Sequence, residues 1–204
     1  MGFFFSRGFQ KKGDWRHNFR ICCEDPLAVP KLAAVLCRHF QELSLGKPLL
    51  ILCIGTDRST GDSLGPLTGT CLGKTILPGI TVLGTLEAPV HAANLKATLR
   101  EIQGYPEPPL IVALDACLGR LENVGTIAVS RGSLRPGAGV NKDLPPVGDL
   151  NITGTVNVGG FMEYFVLQNT RLGLVHKMAV TISTALRRGI LQMQAAAGKG
   201  KEEG

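Results

Sequence analysis

Aromatic side chains are scarce, at 5% of 204 positions, and charged side chains reach only 19%. The first deficit argues against a sandwich or barrel of aromatic-rich strands. The second, beside 44% hydrophobic residues, excludes a disordered tail protein and leaves enough apolar surface for one well-buried core. No apolar run approaches the roughly eighteen residues a membrane helix needs, so a soluble chain with no membrane partner is expected. Six cysteines (Cys22, Cys23, Cys37, Cys53, Cys71, Cys117) show no Cys-x-x-Cys spacing, and several sit within apolar runs, which reads as reduced thiols in a cytoplasmic protein. Glycine (26) and proline (12) lack the three-residue period of collagen, leaving a glycine-punctuated α/β domain.

The net charge of +6 is unevenly placed. Residues 1–20 hold five basic groups against one acid, residues 170–204 hold six against two, and the intervening body is left at −2. A nucleic-acid partner would need a basic folded surface or a recognised motif, and the body offers neither. The opening Met1-Gly2-Phe3-Phe4-Phe5-Ser6 fits a bare myristoylation pattern, and is read here as a chance feature of the arm. Residues 1–20 are thus expected to form a flexible basic arm, residues 21–194 a single domain, and residues 195–204 a disordered tail.

Apolar positions at helical spacing (Leu32, Val35, Leu36, Leu43) predict an outer helix after Asp25-Pro26. The unbroken run from Leu49 to Ile54, closed by Gly55, predicts a strand buried on both faces. There follow an expected helix over 64–76, a strand over 80–83, a helix over 92–103, and a strand over 110–114 that ends at Asp115. A β-α-β-α-β order with right-handed crossovers places the first of these strands between the other two in a parallel sheet. A strand over 125–130, a Pro/Gly-rich loop over 132–148 and two closing helices, over 160–168 and 172–193, complete the reading.

The loop Gly55-Thr56-Asp57-Arg58-Ser59-Thr60-Gly61-Asp62-Ser63-Leu64-Gly65-Pro66 carries the chemistry. As a phosphate loop it fails, because its two outer glycines are one residue too far apart and Asp62 stands where a lysine is needed. Gly61-Asp62-Ser63-Leu64 spells the nucleophile block of a serine esterase family, but that family takes its base from a late Asp-x-x-His, and here that spacing occurs only at Asp14-Trp15-Arg16-His17, ahead of the block. The third reading pairs Asp62 with Asp115. Both lie at carboxyl ends of adjacent strands beside the topological switch point. Two like charges held close raise one carboxyl's pKa, so that the pair holds one proton at neutral pH. Asp62, near a helix N-terminus, is assigned as base and Asp115 as acid. The competing structural reading makes each acid a cap for its own turn.

Four ordered blocks resemble one family: residues 55–66; Gly84-Thr85-Leu86-Glu87-Ala88-Pro89-Val90-His91-Ala92-Ala93-Asn94-Leu95; Leu114-Asp115-Ala116-Cys117-Leu118-Gly119; and Asn151-Ile152-Thr153-Gly154-Thr155-Val156-Asn157-Val158-Gly159-Gly160-Phe161-Met162-Glu163-Tyr164. Over residues 25–192 the chain resembles the YyaC family of sporulation proteins, which look distantly like the spore germination protease and the hydrogenase-maturation endopeptidases. The resemblance implies a three-layer α/β/α sandwich of the phosphorylase/hydrolase-like kind, with a mostly parallel central sheet of about five strands. Gly61-Asp62-Ser63-Leu64-Gly65-Pro66 is similar to the germination protease's Pro-Asp-Ala-Leu-Gly-Pro segment, which puts one essential aspartate at Asp62 and the other at Asp115. In the maturation endopeptidases these acids bind nickel together with a later histidine. Here Asn157 stands in the corresponding segment, and neither a metal nor another cofactor is expected. The strand those enzymes carry between their last two helices is also missing.

The resemblance therefore implies a sporulation-linked peptidase acting on a protein substrate, with spore proteins as candidates. The alternative is a non-catalytic regulatory or scaffold protein retaining a degenerate cleft. A homo-oligomer is compatible with either. Asp57, Arg58, Glu87, His91 and Asn157 are candidate substrate-binding residues. Pro89 argues against a helix joining Glu87 to His91 and makes that stretch a loop over the first strand's mouth. Cys117 lacks any motif-linked histidine and reads as a structural thiol.

Overall fold

The computed structural model describes residues 18–74, 77–137 and 144–202. In chain order these form β1 (Phe19–Cys22), α1 (Ala28–Leu43), β2 (Leu49–Cys53), a 3₁₀ turn (Gly61–Ser63) leading into α2 (Leu64–Gly73), β3 (Ile80–Leu83), α3 (Leu95–Gln103), β4 (Leu110–Gly119), β5 (Thr126–Arg131), β6 (Leu150–Val158), α4 (Glu163–Gln168) and α5 (Leu172–Glu202).

One six-stranded sheet runs in the order β1-β5-β6-β4-β2-β3. Its β3-β2-β4-β6 portion is parallel, and β5 and β1 are added antiparallel. The β3-β2-β4 arrangement is the predicted one, with the buried β2 in the middle. Every residue of β2 is buried, which explains its unbroken apolar sequence. On one face α1, α2 and α5 cover the sheet, and Leu32, Leu36 and Phe40 of α1 meet Ile182 and Leu186 of α5 over Val112 and Ile152. On the other face a smaller cluster packs Leu95 and Ile102 of α3, with Leu134 and Val147, against Leu50, Leu52 and Ala113.

The sheet has six strands rather than about five. β6 was not expected, although its sequence alternates: Leu150, Ile152 and Val156 are buried while Asn151, Thr153 and Thr155 stand on the opposite face. Its pairing with Asp115–Gly119 extends β4 past Asp115, so that this acid lies within its strand instead of ending it. β1 begins inside the expected arm because Ile21 is buried against the main core. The last helix continues to Glu202 through the expected disordered tail, which its Ala195-Ala196-Ala197 run favours as strong helix formers. α3 starts at Leu95 and not at Ala92, because the Asn94 side chain accepts the His91 N–H at 2.7 Å and donates to the Pro89 carbonyl at 2.9 Å, closing a turn there. The expected helix over 64–76 ends at Gly73, with Thr75 and Ile76 outside the described residues, as are 138–143 of the Pro/Gly-rich loop. No strand separates α4 from α5.

Candidate functional site: an aspartate pair over the sheet

Two glycines let the acidic loop fold back onto β2. A Cβ on Gly65 would stand 2.0 Å from the Ile54 carbonyl oxygen, so only glycine allows α2 to start directly against the strand end. Gly55 has φ +147, and a Cβ there would stand 2.0 Å from the Asp62 carbonyl oxygen. That oxygen accepts the Thr56 N–H at 3.1 Å, which pins the 3₁₀ turn over the end of β2. The turn carries Asp62 to the same place that β4 carries Asp115.

Asp62 and Asp115 line one cleft of about 380 Å³, together with Cys117, Arg135, Thr153 and Leu167. The same two acids also line a smaller hollow of about 80 Å³ with Gly55, Thr56, His91 and Gly137. Burial pushes the Asp115 carboxyl up to about 7, and the neighbouring negative charge of Asp62 adds to the rise. The backbone N–H groups of Gly137 and Ala116 work against it, the latter donating to Asp115 Oδ1 at 2.9 Å. A carboxyl in this range is present in both protonation states at neutral pH, which is what an exchangeable proton in an acid–base pair requires.

The other candidate residues divide. His91 borders the smaller hollow; its Nδ1 accepts the Ala93 N–H at 3.2 Å, so the neutral ring carries its proton on Nε2. Asp57 and Arg58 are exposed on the loop, and Glu87 is exposed on its own; none of the three is among the residues lining these two spaces. Asn157 is engaged in holding α4. Its Nδ2 donates to Thr170 Oγ1 at 3.2 Å and to the Val166 carbonyl at 3.4 Å, and its Oδ1 accepts the Val158 N–H at 2.8 Å. α4 in turn presents Leu167, whose Cδ2 would meet a Cβ on Gly61 at 2.7 Å, beside Asp62.

Ser63 is buried and its hydroxyl donates to the Thr60 carbonyl at 2.6 Å, which removes it from service as an esterase nucleophile. The Cys117 thiol is shifted upward, mainly by burial, and lies 3.5 Å from Thr155 Oγ1, in keeping with a structural thiol. Sequence reasoning missed Thr153, Arg135 and Gly137. The alternation of β6 carried a signal for Thr153. The loop residues carried only the Pro136-Gly137 turn signal, which says nothing of where the loop lands.

A family model described as "Protein of unknown function (DUF1256)" matches residues 20–185. The chain belongs to the DUF1256 family. It is 51% identical over 162 residues to "Uncharacterized protein YyaC" of Bacillus subtilis (strain 168), a match covering 79% of this chain and 78% of that one. The fold is similar to that of the [NiFe] hydrogenase maturation protease HycI from Thermococcus kodakarensis KOD1, with a TM-score of 0.52 and 19% identity, covering 78% of this chain and 99% of that one. The YyaC resemblance read from the four sequence blocks therefore holds, and so does the protease-like fold that it implied.

Among the described residues no group of three or more His, Cys, Asp or Glu is placed to hold an ion, and both polar atoms of the Asn157 amide are already engaged within the protein. No helix among the described residues is long and apolar enough to cross a membrane.

Proposed function

We propose that this protein is a hydrolase of peptide bonds in which Asp62 and Asp115 share one proton and act on a water between them. The single observation that carries this reading is that Asp62 and Asp115 line one open cleft, where burial and the neighbouring Asp62 charge push the Asp115 carboxyl up to about 7. Asp62, as carboxylate, takes a proton from the water as its oxygen bonds to the substrate carbonyl carbon. Asp115, protonated, gives its proton to the departing nitrogen as the carbon–nitrogen bond breaks. The proton gained by Asp62 then passes back to Asp115 and restores the pair. His91, carrying its proton on Nε2 at the edge of the smaller hollow, supports the reading as a donor toward substrate. Asp57, Arg58 and Glu87 are left as outer contacts for a longer substrate.

The likeness in fold to a maturation protease supports a protein as substrate, and the resemblance to sporulation proteins carried by the four sequence blocks supports a spore protein met in the cytoplasm. The test is a mass-spectrometric comparison of spore proteins with the protein present, absent, or replaced by its Asp62→Asn and Asp115→Asn variants. A truncated product that requires both acids is the expected result. Unchanged products in both variants would leave the regulatory or scaffold role standing.

A further inference from the structure

The register of the sheet puts four residues in one row. Arg20 of β1 pairs with Ala128 of β5, Ala128 with Thr153 of β6, and Thr153 with Asp115 of β4. Residues paired across a sheet point to the same side. That side is the one opposite α1 and α5, since Ile21, Ile127, Ile152 and Leu114, each one position along its strand, belong to the core beneath those helices. Above β1, β5 and β6 no helix among the described residues covers this side, and Thr126, Ala128, Thr153 and Thr155 are only partly buried there.

A second groove of about 450 Å³ occupies this floor, bordered by Arg20, Arg120, Asn123 and the threonines, and it shares Cys117, Leu118 and Thr153 with the aspartate cleft. The two spaces adjoin at those residues. The charge of Arg20 is felt at Cys117, as is that of Asp115, which places the cation within electrostatic reach of the same thiol from the opposite side. Among the described residues Arg20 has no carboxylate partner and meets only Asn18 Oδ1, at 3.4 Å. Arg120 has only a loose, exposed pair with Glu122 at 3.8 Å. Two under-neutralised guanidinium groups thus stand at one end of the groove, while at the other the two acids share their cleft with Arg135.

We propose that this floor is the substrate groove and that it selects a protein segment bearing an acidic side chain, which Arg20 and Arg120 bind to one side of the bond presented to Asp62 and Asp115. The inference rests on the hydrolase reading above. Three strand spacings of about 4.8 Å separate β4 from β1, roughly 14 Å in all, and an extended peptide advances about 3.4 Å per residue. The acidic residue therefore lies about four residues from the cleaved bond. A nucleic acid or other polyanion is disfavoured because its next charges would fall on the aspartates. The groove leads to the sheet edge at β1, so the chain can continue past it, and a side chain rather than a terminal carboxylate is the ligand.

The experiment uses the full chain carrying Asp115→Asn, so that binding is read whether or not the pair hydrolyses. The probes are ten-residue acetylated and amidated peptides of Gly, Ala and Ser bearing two adjacent Glu, the same peptide with Gln in their place, and the Gln peptide with a free C-terminus, titrated by heteronuclear NMR. The Glu peptide is expected to bind at least fivefold more tightly than the Gln amide, to shift the Thr126, Thr153 and Thr155 amides, and to weaken with added salt. Arg20→Gln with Arg120→Gln should erase the preference, and Arg120→Gln alone, on a loop, should reduce it without touching the edge strand. Equal binding of Glu and Gln peptides, no binding of either, or a preference that survives both substitutions overturns the proposal. A free-carboxylate peptide matching the Glu peptide overturns the side-chain assignment. Loss of cleavage in Asp62→Asn is a separate reading and bears only on the hydrolytic pair.

Discussion

Asp62 raises the pKa of Asp115 across a cleft that only the folded chain creates. The first comes from a 3₁₀ turn laid over the end of β2, the second from the middle of β4, and their strands are neighbours in the sheet. Asp62→Asn should therefore lower the Asp115 pKa, a change that carboxyl ¹³C NMR titration reads directly. An unmoved titration would show that burial alone sets the value.

If the pair works as proposed, either Asp62→Asn or Asp115→Asn should reduce turnover by about 10²- to 10⁴-fold while leaving the circular dichroism spectrum intact. In the wild type the alkaline limb of kcat/KM should fall with an apparent pKa near 7, as Asp115 loses the proton it donates. A pH profile flat from 6 to 9 would remove Asp115 from the acid role.

The same shift has a stability consequence. A carboxyl whose folded pKa of about 7 exceeds its ordinary value of 3.8 favours the folded state most when protonated, below about pH 4. That contribution is lost as pH rises through 7. Each unit is worth about 1.4 kcal/mol, so wild-type stability should drop by about 2–4 kcal/mol from this group between pH 4 and 8. In urea titrations Asp115→Asn should lack this component, and the variant should gain on the wild type as pH increases.

Gly55→Ala should cost about 2–4 kcal/mol and impair turnover at the same time, because the new methyl collides with the Asp62 carbonyl oxygen at a positive φ. Asn157→Ala should cost about 1–2 kcal/mol through loss of its bonds to α4, with a smaller effect on turnover. Thermal unfolding beside a turnover assay separates the two. Equal activity losses would mean that Asn157 does more than hold the helix.

Cys117→Ala should retain activity, since the thiol is held in its protonated form mainly by burial. In native labelling with iodoacetamide at pH 8, exposed Cys22 should react well before Cys53, whose thiol burial pushes up to about 12. Loss of turnover in Cys117→Ala would reopen the cysteine as a participant.

Local sequence was informative wherever a residue's surroundings are set by its own neighbours in the chain. The run Leu49–Cys53 announces a doubly covered strand because each of its side chains must leave water, and the apolar stretches over 80–83 and 110–114 announce its neighbours. From these and the chain order, the β3-β2-β4 centre and the meeting of Asp62 with Asp115 could be argued before any coordinates. The sequence also carried the alternation of β6, but a period of two does not say which strand will be its partner.

What only the tertiary structure decided depends on contacts between distant segments. Pairing of β6 with β4 moved Asp115 from a strand end into a strand interior. A loop with no periodic signal brought Gly137 to that carboxyl and Arg135 to the cleft. Antiparallel addition of β5 and β1 set Arg20 in register with Asp115, and hydrogen bonds to α4 claimed Asn157. Pattern along the chain specifies which face a side chain takes; hydrogen-bond register and packing between remote elements specify what that face meets.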